Sequence, residues 1–309
     1  MAPTKRLPRT LVEAIRYFED PAVATEFVAH LRWPDGPECP SCGGKDHSFL
    51  TSRRIWKCKA CKKQFSVKVG TIFEDSPIPL DKWLASIWLI ANAKNGISSH
   101  ELGRSVGLTQ KSAWFVLHRV RLAMQTGTFD KLTGEVEVDE TFVGGKAKFM
   151  HQKVRSRKIT GRGYEGKTAV MGMLERDGDV RAVVVPDTKK QTLTGHVHVN
   201  VEPGSAVYSD AAYAYSQLGD TYTHGFVDHA VQYVNGRVHT NGIENFWSLL
   251  KRSLKGTYVS VEPFHLFRYV DEQVFRFNLR KDNDLGRFVT VTARVSGRRL
   301  SYSDLTGKA

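Results

Sequence analysis

The sequence predicts an α+β chain of several domains: short N-terminal helices, a metal-bound ribbon, a helix-turn-helix, and a mixed sheet covered by helices. Three observations carry this. All four cysteines among the 309 residues fall in one window, as Cys39-Pro-Ser-Cys42 and Cys58-Lys-Ala-Cys61. From Leu80 to about Met124 the apolar residues recur at helical spacing. Beyond Gly134 the period shortens to that of strands, with helical stretches between them.

Residues 1–35 read as two helices. Thr10-Leu-Val-Glu13 has the form of a capping box, and Asp20-Pro21 opens a second helix that stops near Trp33-Pro34. The ribbon occupies 36–72. Two Cys-x-x-Cys knuckles with room for a hairpin between them present four thiolates to one tetrahedral zinc through Cys39, Cys42, Cys58 and Cys61. The absence of a secretory signal and of any further cysteine argues against two disulfides. Gly43-Gly44 supplies the permissive backbone a tight metal loop needs, and Arg53, Arg54, Lys57, Lys59, Lys62 and Lys63 surround the second knuckle with positive charge. A four-thiolate zinc has no open position, so the ribbon is expected to dock nucleic acid or protein rather than to catalyse.

Residues 76–126 follow a break at Pro77-Ile-Pro79. An apolar helix over Leu80 to Ala93 precedes a helix-turn-helix in which Ser98 or Ser99 caps the first helix, Gly107 makes the turn and Thr109 caps the second. Ala113, Val116, Leu117 and Val120 form the apolar stripe of the second helix, leaving Gln110, Lys111, Trp114, Arg119 and Arg121 for DNA or solvent. A helical hairpin packed on the core is the alternative.

Residues 130–285 carry strands at Glu135–Val143, Thr168–Leu174, Val180–Val185 and Ala206–Tyr208, with turns at Arg176–Asp179 and Pro203-Gly204. Helices are expected at Thr188–Val199, Ala211–Leu218, Ile243–Leu254 and Pro263–Asn278. A loosely ordered basic tail is expected over 286–309.

Within this last domain three carboxylates stand in distinct settings. Val136 and Val138 would face the core, placing Glu135, Glu137 and Asp139 on the opposite face, and Asp139 leads into Gly144-Gly145. Asp210 ends a short strand, where a helix-capping role competes; Glu244 opens a helix, where it also stands at the capping-box position from Asn241. Two aspartates at strand ends and a glutamate at a helix start can hold a pair of divalent cations, because hard cations take oxygen ligands. Lys251, seven residues after Glu244, falls on the same helical face. His239 is a candidate proton carrier or phosphate contact, whereas His196 and His198 lack a third metal ligand. Between the first two strands, Lys146 to Tyr164 is rich in cations and holds no carboxylate until Glu165; Lys153, Arg155, Arg157 and Lys158 make it a candidate DNA-contacting arm.

Bulk properties agree with a polyanionic partner. The formal charge is +13, and 41% hydrophobic content is ordinary for a globular protein with a real core. The N-terminus lacks an apolar signal core, and the longest apolar run, Trp83 to Ala93, is far short of the roughly 20 residues a spanning helix needs. A reducing cytoplasm and no membrane partner are expected.

Several motifs occur together and in order: Arg32-Trp-Pro-Asp-Gly36 before the first knuckle, Val69-Gly-Thr-Ile-Phe-Glu-Asp-Ser76, Ala113-Trp-Phe-Val-Leu-His-Arg119, Val138-Asp-Glu-Thr141, and His239-Thr-Asn-Gly-Ile-Glu244 with Lys251. From about residue 15 to 285 the chain resembles the bacterial insertion-sequence DDE transposases of the ISXO2-like family, which join a zinc ribbon to a catalytic domain. That resemblance implies a ribonuclease-H-like domain in which Asp139, Asp210 and Glu244 hold two Mg2+ or Mn2+ ions with Lys251 as basic companion. Asn245 is the alternative at the third position. It further implies nicking of transposon ends and joining of the 3′-hydroxyl to target, double-stranded DNA as partner, a homo-oligomer on DNA, and a place at the bacterial nucleoid. A non-catalytic zinc-ribbon regulator and a nuclease without strand transfer are the rival classes.

Overall fold

The computed structural model describes residues 6–125, 127, 130–145, 151–158, 164–210, 213–227 and 238–307. The chain divides into two compact units, one of Met1–Gln125 with Leu279–Ala309 and one of Thr126–Asn278.

The first unit begins with helices α1 (Leu11–Phe18) and α2 (Pro21–Arg32). Thr10 Oγ1 accepts the Glu13 N–H at 3.3 Å, while the Glu13 carboxylate takes the Arg9 N–H at 2.7 Å, so only half of the expected box closes. Asp20 caps α2 through the Ala22 N–H, with proline in the first turn, where its missing N–H costs nothing. Strands β1 (His47–Leu50), β2 (Ile55–Cys58) and β3 (Gln64–Phe65) form an antiparallel ribbon on which the Trp56 and Phe65 rings stack. Helix α3 (Leu80–Asn92) is buried along Trp83, Leu84 and Ile87. Helices α4 (Ser99–Val106) and α5 (Gln110–Met124) are capped by Ser98 and Thr109, and Gly107 at φ 63° makes the turn a residue with a Cβ would resist.

On α5 the expected stripe is buried, but so are two residues assigned to DNA or solvent. Arg119 is 4% exposed: its guanidinium donates to the carbonyls of Ile72 (2.7 Å), Glu74 (2.6 Å) and Leu300 (3.1 Å) and lies over the Phe115 ring. A fork of donors that reaches three loop carbonyls makes Arg119 an internal brace rather than the surface cation expected. Arg121 is also buried.

In the second unit, strands β4 (Glu135–Val143), β5 (Thr168–Glu175), β6 (Val180–Val185), β7 (Ala206–Asp210) and β8 (Thr223–Val227) make one sheet in the order β6-β5-β4-β7-β8. β4, β5 and β6 run antiparallel in succession, whereas β7 lies parallel to β4 and β8 parallel to β7. Helix α6 (Gln152–Lys158) lies between β4 and β5 in the chain, and α7 (Lys190–Asn200) between β6 and β7. One sheet face buries Val136, Val138, Met171 and Met173 with Leu193 and Val197 of α7; the other buries Val170, Leu174 and Val180 beneath helices α8 (Asn241–Arg252) and α9 (Leu266–Asn278). Among the described residues, the helix expected over Ala211–Leu218 is replaced by two 3-10 turns, Tyr213–Tyr215 and Leu218–Asp220, and β8 was not expected. After Arg252 the helix widens into a π-helical turn, Ser253–Tyr258, closed by Val259 at φ 60°.

The segment after Leu279 returns to the first unit. The loose tail expected there is instead helix α10 (Asp284–Ala293) and the short α11 (Tyr302–Thr306). Phe288 lies against the rings of Phe18, Phe27 and Trp88, and Leu300 and Leu305 are buried. Apolar residues at 288, 291, 295, 300 and 305 outweigh the basic character that suggested disorder. Among the described residues no helix is long and apolar enough to cross a membrane.

Candidate active site

Parallel pairing of β4 with β7 brings two of the three carboxylates together. Glu135 pairs with Ala206, Val136 with Val207 and Glu137 with Tyr208. Two residues further in the same register, Asp139 stands level with Asp210 on strands about 4.8 Å apart, both on the face covered by α8. Trp247 Nε1 of α8 donates to Asp139 Oδ2 at 2.9 Å. Burial pushes the Asp139 carboxyl up to about 6; the Glu140 and Trp247 N–H groups oppose the shift, and the charges of Asp210 and Glu244 add to it. Asp139 therefore senses both other members of the expected set. Glu244 is exposed at the start of α8 and accepts from Thr240 Oγ1 at 3.2 Å. Neighbouring Asn245 is exposed too. One unbroken α-helix carries Glu244 and the half-exposed Lys251, about 10 Å apart along its axis.

A fourth carboxylate belongs to this neighbourhood and was missed by sequence reasoning. Glu140 points to the opposite sheet face, where Tyr215 Oη donates to its Oε1. Burial first, then the charges of Asp139 and Asp210, push its carboxyl up to about 8. Neighbouring strand residues alternate faces, so a reading confined to the face of Glu135, Glu137 and Asp139 passed over Glu140.

The acidic face expected to include Glu137 is not solvated. Glu137 is 1% exposed and accepts from Arg176 Nε at 3.0 Å and from the Ile243 N–H at 2.9 Å, with His239 Nδ1 at 3.2 Å. Arg176 also donates to the His239 carbonyl at 3.0 Å and lies over the Tyr208 ring, whose hydroxyl reaches Glu135 at 2.8 Å. Glu137 thus ties the first turn of α8 to the strand that bears Asp139. His239, the expected proton carrier or phosphate contact, is engaged in this network through Nδ1 and its carbonyl. Gly242 lets the helix come this close: a Cβ there would lie 2.8 Å from Glu137 Oε2.

The four cysteines form a second centre. Cys39 and Cys61 sulfurs lie 3.6 Å apart, as do those of Cys42 and Cys58, and all four ligand atoms are within 4.8 Å of one another. Sulfurs at the corners of a tetrahedron about a zinc, with Zn–S near 2.3 Å, would stand about 3.8 Å apart. All four thiols are free. Among the described residues this is the one group of three or more His, Cys, Asp or Glu side chains gathered so closely; Asp139, Asp210 and Glu244 are more widely spaced. Backbone N–H groups of Cys61 and Ala60 bring the Cys58 thiol down to about 7 against its burial, which favours the thiolate a metal requires. Gly44 leaves room for the knuckle, since a Cβ would lie 3.2 Å from Cys58 Sγ.

Of the remaining expected DNA contacts, Lys111 is exposed with its ammonium 5.7 Å from the Tyr302 ring, and Trp114 is half-buried against His118. Lys153 and Arg155 are exposed on α6; Arg157 and Lys158 lie on the same helix, their side chains outside the described residues, as are residues 146–150 and 159–163 of that segment.

Residues 131–278 match the model of the ISXO2-like transposase domain, and residues 20–64 that of the transposase zinc-ribbon domain. An uncharacterized protein in the transposable element ISH50 of Halobacterium salinarum is 29% identical over 253 residues, which span 78% of this chain and 85% of that protein. The resemblance read from the sequence is borne out in both domains and in their order. With the clustered cysteines, the ribbon match supports structural zinc.

Proposed function

We propose that this chain, whose two matched domains indicate an insertion-sequence transposase, cuts the ends of its element and joins them to target DNA at a ribonuclease-H-like site built from Asp139, Asp210 and Glu244. The observation that carries the reading is the register of β4 on β7, which sets Asp139 and Asp210 side by side under the helix whose first turn carries Glu244. The donor set suits hard cations: three oxygen-bearing side chains come from the middle of β4, the end of β7 and the first turn of α8, and Asp139 is raised first by burial and then by the charges of the other two. A pair of Mg2+ or Mn2+ ions held there would stabilise the charge that builds on the phosphate and activate the attacking oxygen.

The chain's own residues then have distinct tasks. Asp139, Asp210 and Glu244 would hold the cations, and Lys251 would steady a neighbouring phosphate as a point charge. In the first step a water oxygen attacks phosphorus, the bond to the 3′-oxygen breaks, and a 3′-hydroxyl is left on the element. In the second that hydroxyl attacks a target phosphate and displaces the target's 3′-oxygen. The +13 charge favours double-stranded DNA as the partner of both steps, with a homo-oligomer bringing two ends together.

The test is to incubate the full chain with its element's ends and a supercoiled plasmid in Mg2+, resolving nicked and joined products. Asp139→Asn, Asp210→Asn and Glu244→Gln are each expected to abolish both products while end binding stays within a few-fold. Full activity in one of them removes that residue from the set. An active Glu244→Gln with an inactive Asn245→Ala would move the third position by one. Nicking without joining in the unaltered protein would favour a nuclease. Lys251→Ala is expected to lower the salt slope of end binding by about one contact, and Lys255→Ala, displaced by the π-helical turn, is the control.

A further inference from the structure

Asp139 accepts from two neutral donors, the Glu140 backbone N–H and the Trp247 indole N–H, and the indole is immobilised. Trp247 Nε1 donates to Asp139 Oδ2 at 2.9 Å, and the indole is 4% exposed among Ile243, Phe246, Leu250 and Val170. The benzo edge of the ring rests on Gly172, which is the β5 residue paired with Asp139 itself. Rotation of the ring is blocked by this packing on both sides. An indole N–H donates only and carries no charge, so it orders a carboxylate without replacing a cation as a lysine would. With Oδ2 engaged by the indole, the plane of the carboxylate is fixed.

We propose that Trp247 is a positioning residue for the metal-binding carboxylate: its N–H holds Asp139 in one orientation toward the cation. This rests on the reading of Asp139 as a metal ligand. Outer hydrogen bonds of this type characteristically change metal affinity by about 10- to 100-fold.

The geometry supplies a way to separate the hydrogen bond from the packing. Trp247→Phe removes the donor and also shortens the ring at the Cζ2–Cη2 edge, the atoms that a Cβ on Gly172 would approach to 2.6 and 2.7 Å. Gly172→Ala in that background refills the space without restoring a donor. Mn2+ binding by calorimetry and melting temperature are measured on zinc-loaded, full-length protein for the unaltered chain, Asp139→Asn, Trp247→Phe and Gly172→Ala/Trp247→Phe. The expected result is Mn2+ binding that depends on Asp139, weakened about tenfold or more in Trp247→Phe, and still weakened in the double variant although its melting temperature recovers. Recovery of affinity together with stability, or Mn2+ affinity in Trp247→Phe equal to the unaltered chain, overturns the positioning role and leaves Asp139 as ligand. Binding indifferent to Asp139→Asn overturns the metal-site reading and this role with it. Should the variants fail to fold, the indole proton resonance of Trp247 in the unaltered protein decides: it is expected to shift on Mg2+ addition, and an unmoved resonance overturns the proposal.

Discussion

Gly172 and Trp247 meet with no space between them: a Cβ built on Gly172 would lie 2.6 Å from Cζ2 of the indole and 2.8 Å from Cδ1 of Ile243. The absence of a side chain on β5 is what lets α8 lie low enough for its indole to reach Asp139. Gly172→Ala in an otherwise unaltered chain is therefore expected to overpack the contact, at a cost of about 1–3 kcal/mol. The check is the melting temperature of the second unit's transition. A transition unchanged to within error would mean that α8 can lift from the sheet without penalty.

Glu137 offers a comparison of two substitutions at one buried acid. Removing its carboxylate leaves Arg176 with Glu135 and the His239 carbonyl, and the Ile243 N–H without an acceptor, so Glu137→Ala is expected to cost about 1–3 kcal/mol. Glu137→Gln retains an oxygen for one of those donors and should cost distinctly less. Denaturant unfolding measures both. Equal stabilities for the two variants would show that the hydrogen bond to the first turn of α8 contributes nothing.

The Glu140 carboxyl, pushed up to about 8 by burial and by Asp139 and Asp210, makes stability depend on pH in metal-free protein. The folded state holds this proton more tightly than the unfolded chain, whose glutamate titrates near 4.5. Its contribution is thus fully present below about 4.5 and is lost as pH rises through about 8. Glu140→Gln cannot ionise. Its melting temperature relative to the unaltered chain is expected to rise steadily from pH 5 to 8 in EDTA and then level off; a difference that is flat across this range would contradict the buried-acid assignment.

Zinc removal should act locally. One zinc per chain is expected from metal analysis, and Cys58→Ser is expected to release it and unfold the ribbon while the second unit stays folded. Limited proteolysis reads the outcome: new cuts within residues 36–72, with 131–278 still resistant. Oxidised cysteine pairs and no zinc in the purified protein would refute the assignment.

Much of this was legible because periodicity and local chemistry coincide. β4 and β6 have the bounds the alternating valines suggested, and the knuckle spacing alone gathered the four thiols. The failures share a cause in contacts between residues far apart in the chain. Arg119 looks like a surface cation until the carbonyls of residues 72, 74 and 300 surround it. Glu137 reads as one more solvated acid until α8, 106 positions later, covers it. Strand β8 contains a histidine and a glycine and gains its place by pairing with β7, which no local pattern announces. Glu140 was passed over because strand alternation sends it to the face opposite Asp139.

The return of residues 279–309 to the first unit sets an order of synthesis. The ribbon and helices α1 to α5 leave the ribosome first, yet Phe18, Phe27 and Trp88 lack Phe288, and Arg119 lacks the Leu300 carbonyl, until the whole second unit has been translated. A nascent chain would thus carry a complete sheet domain before its N-terminal unit is sealed. Shortened products ending anywhere before residue 288 would leave that aromatic cluster open to water, and would favour degradation.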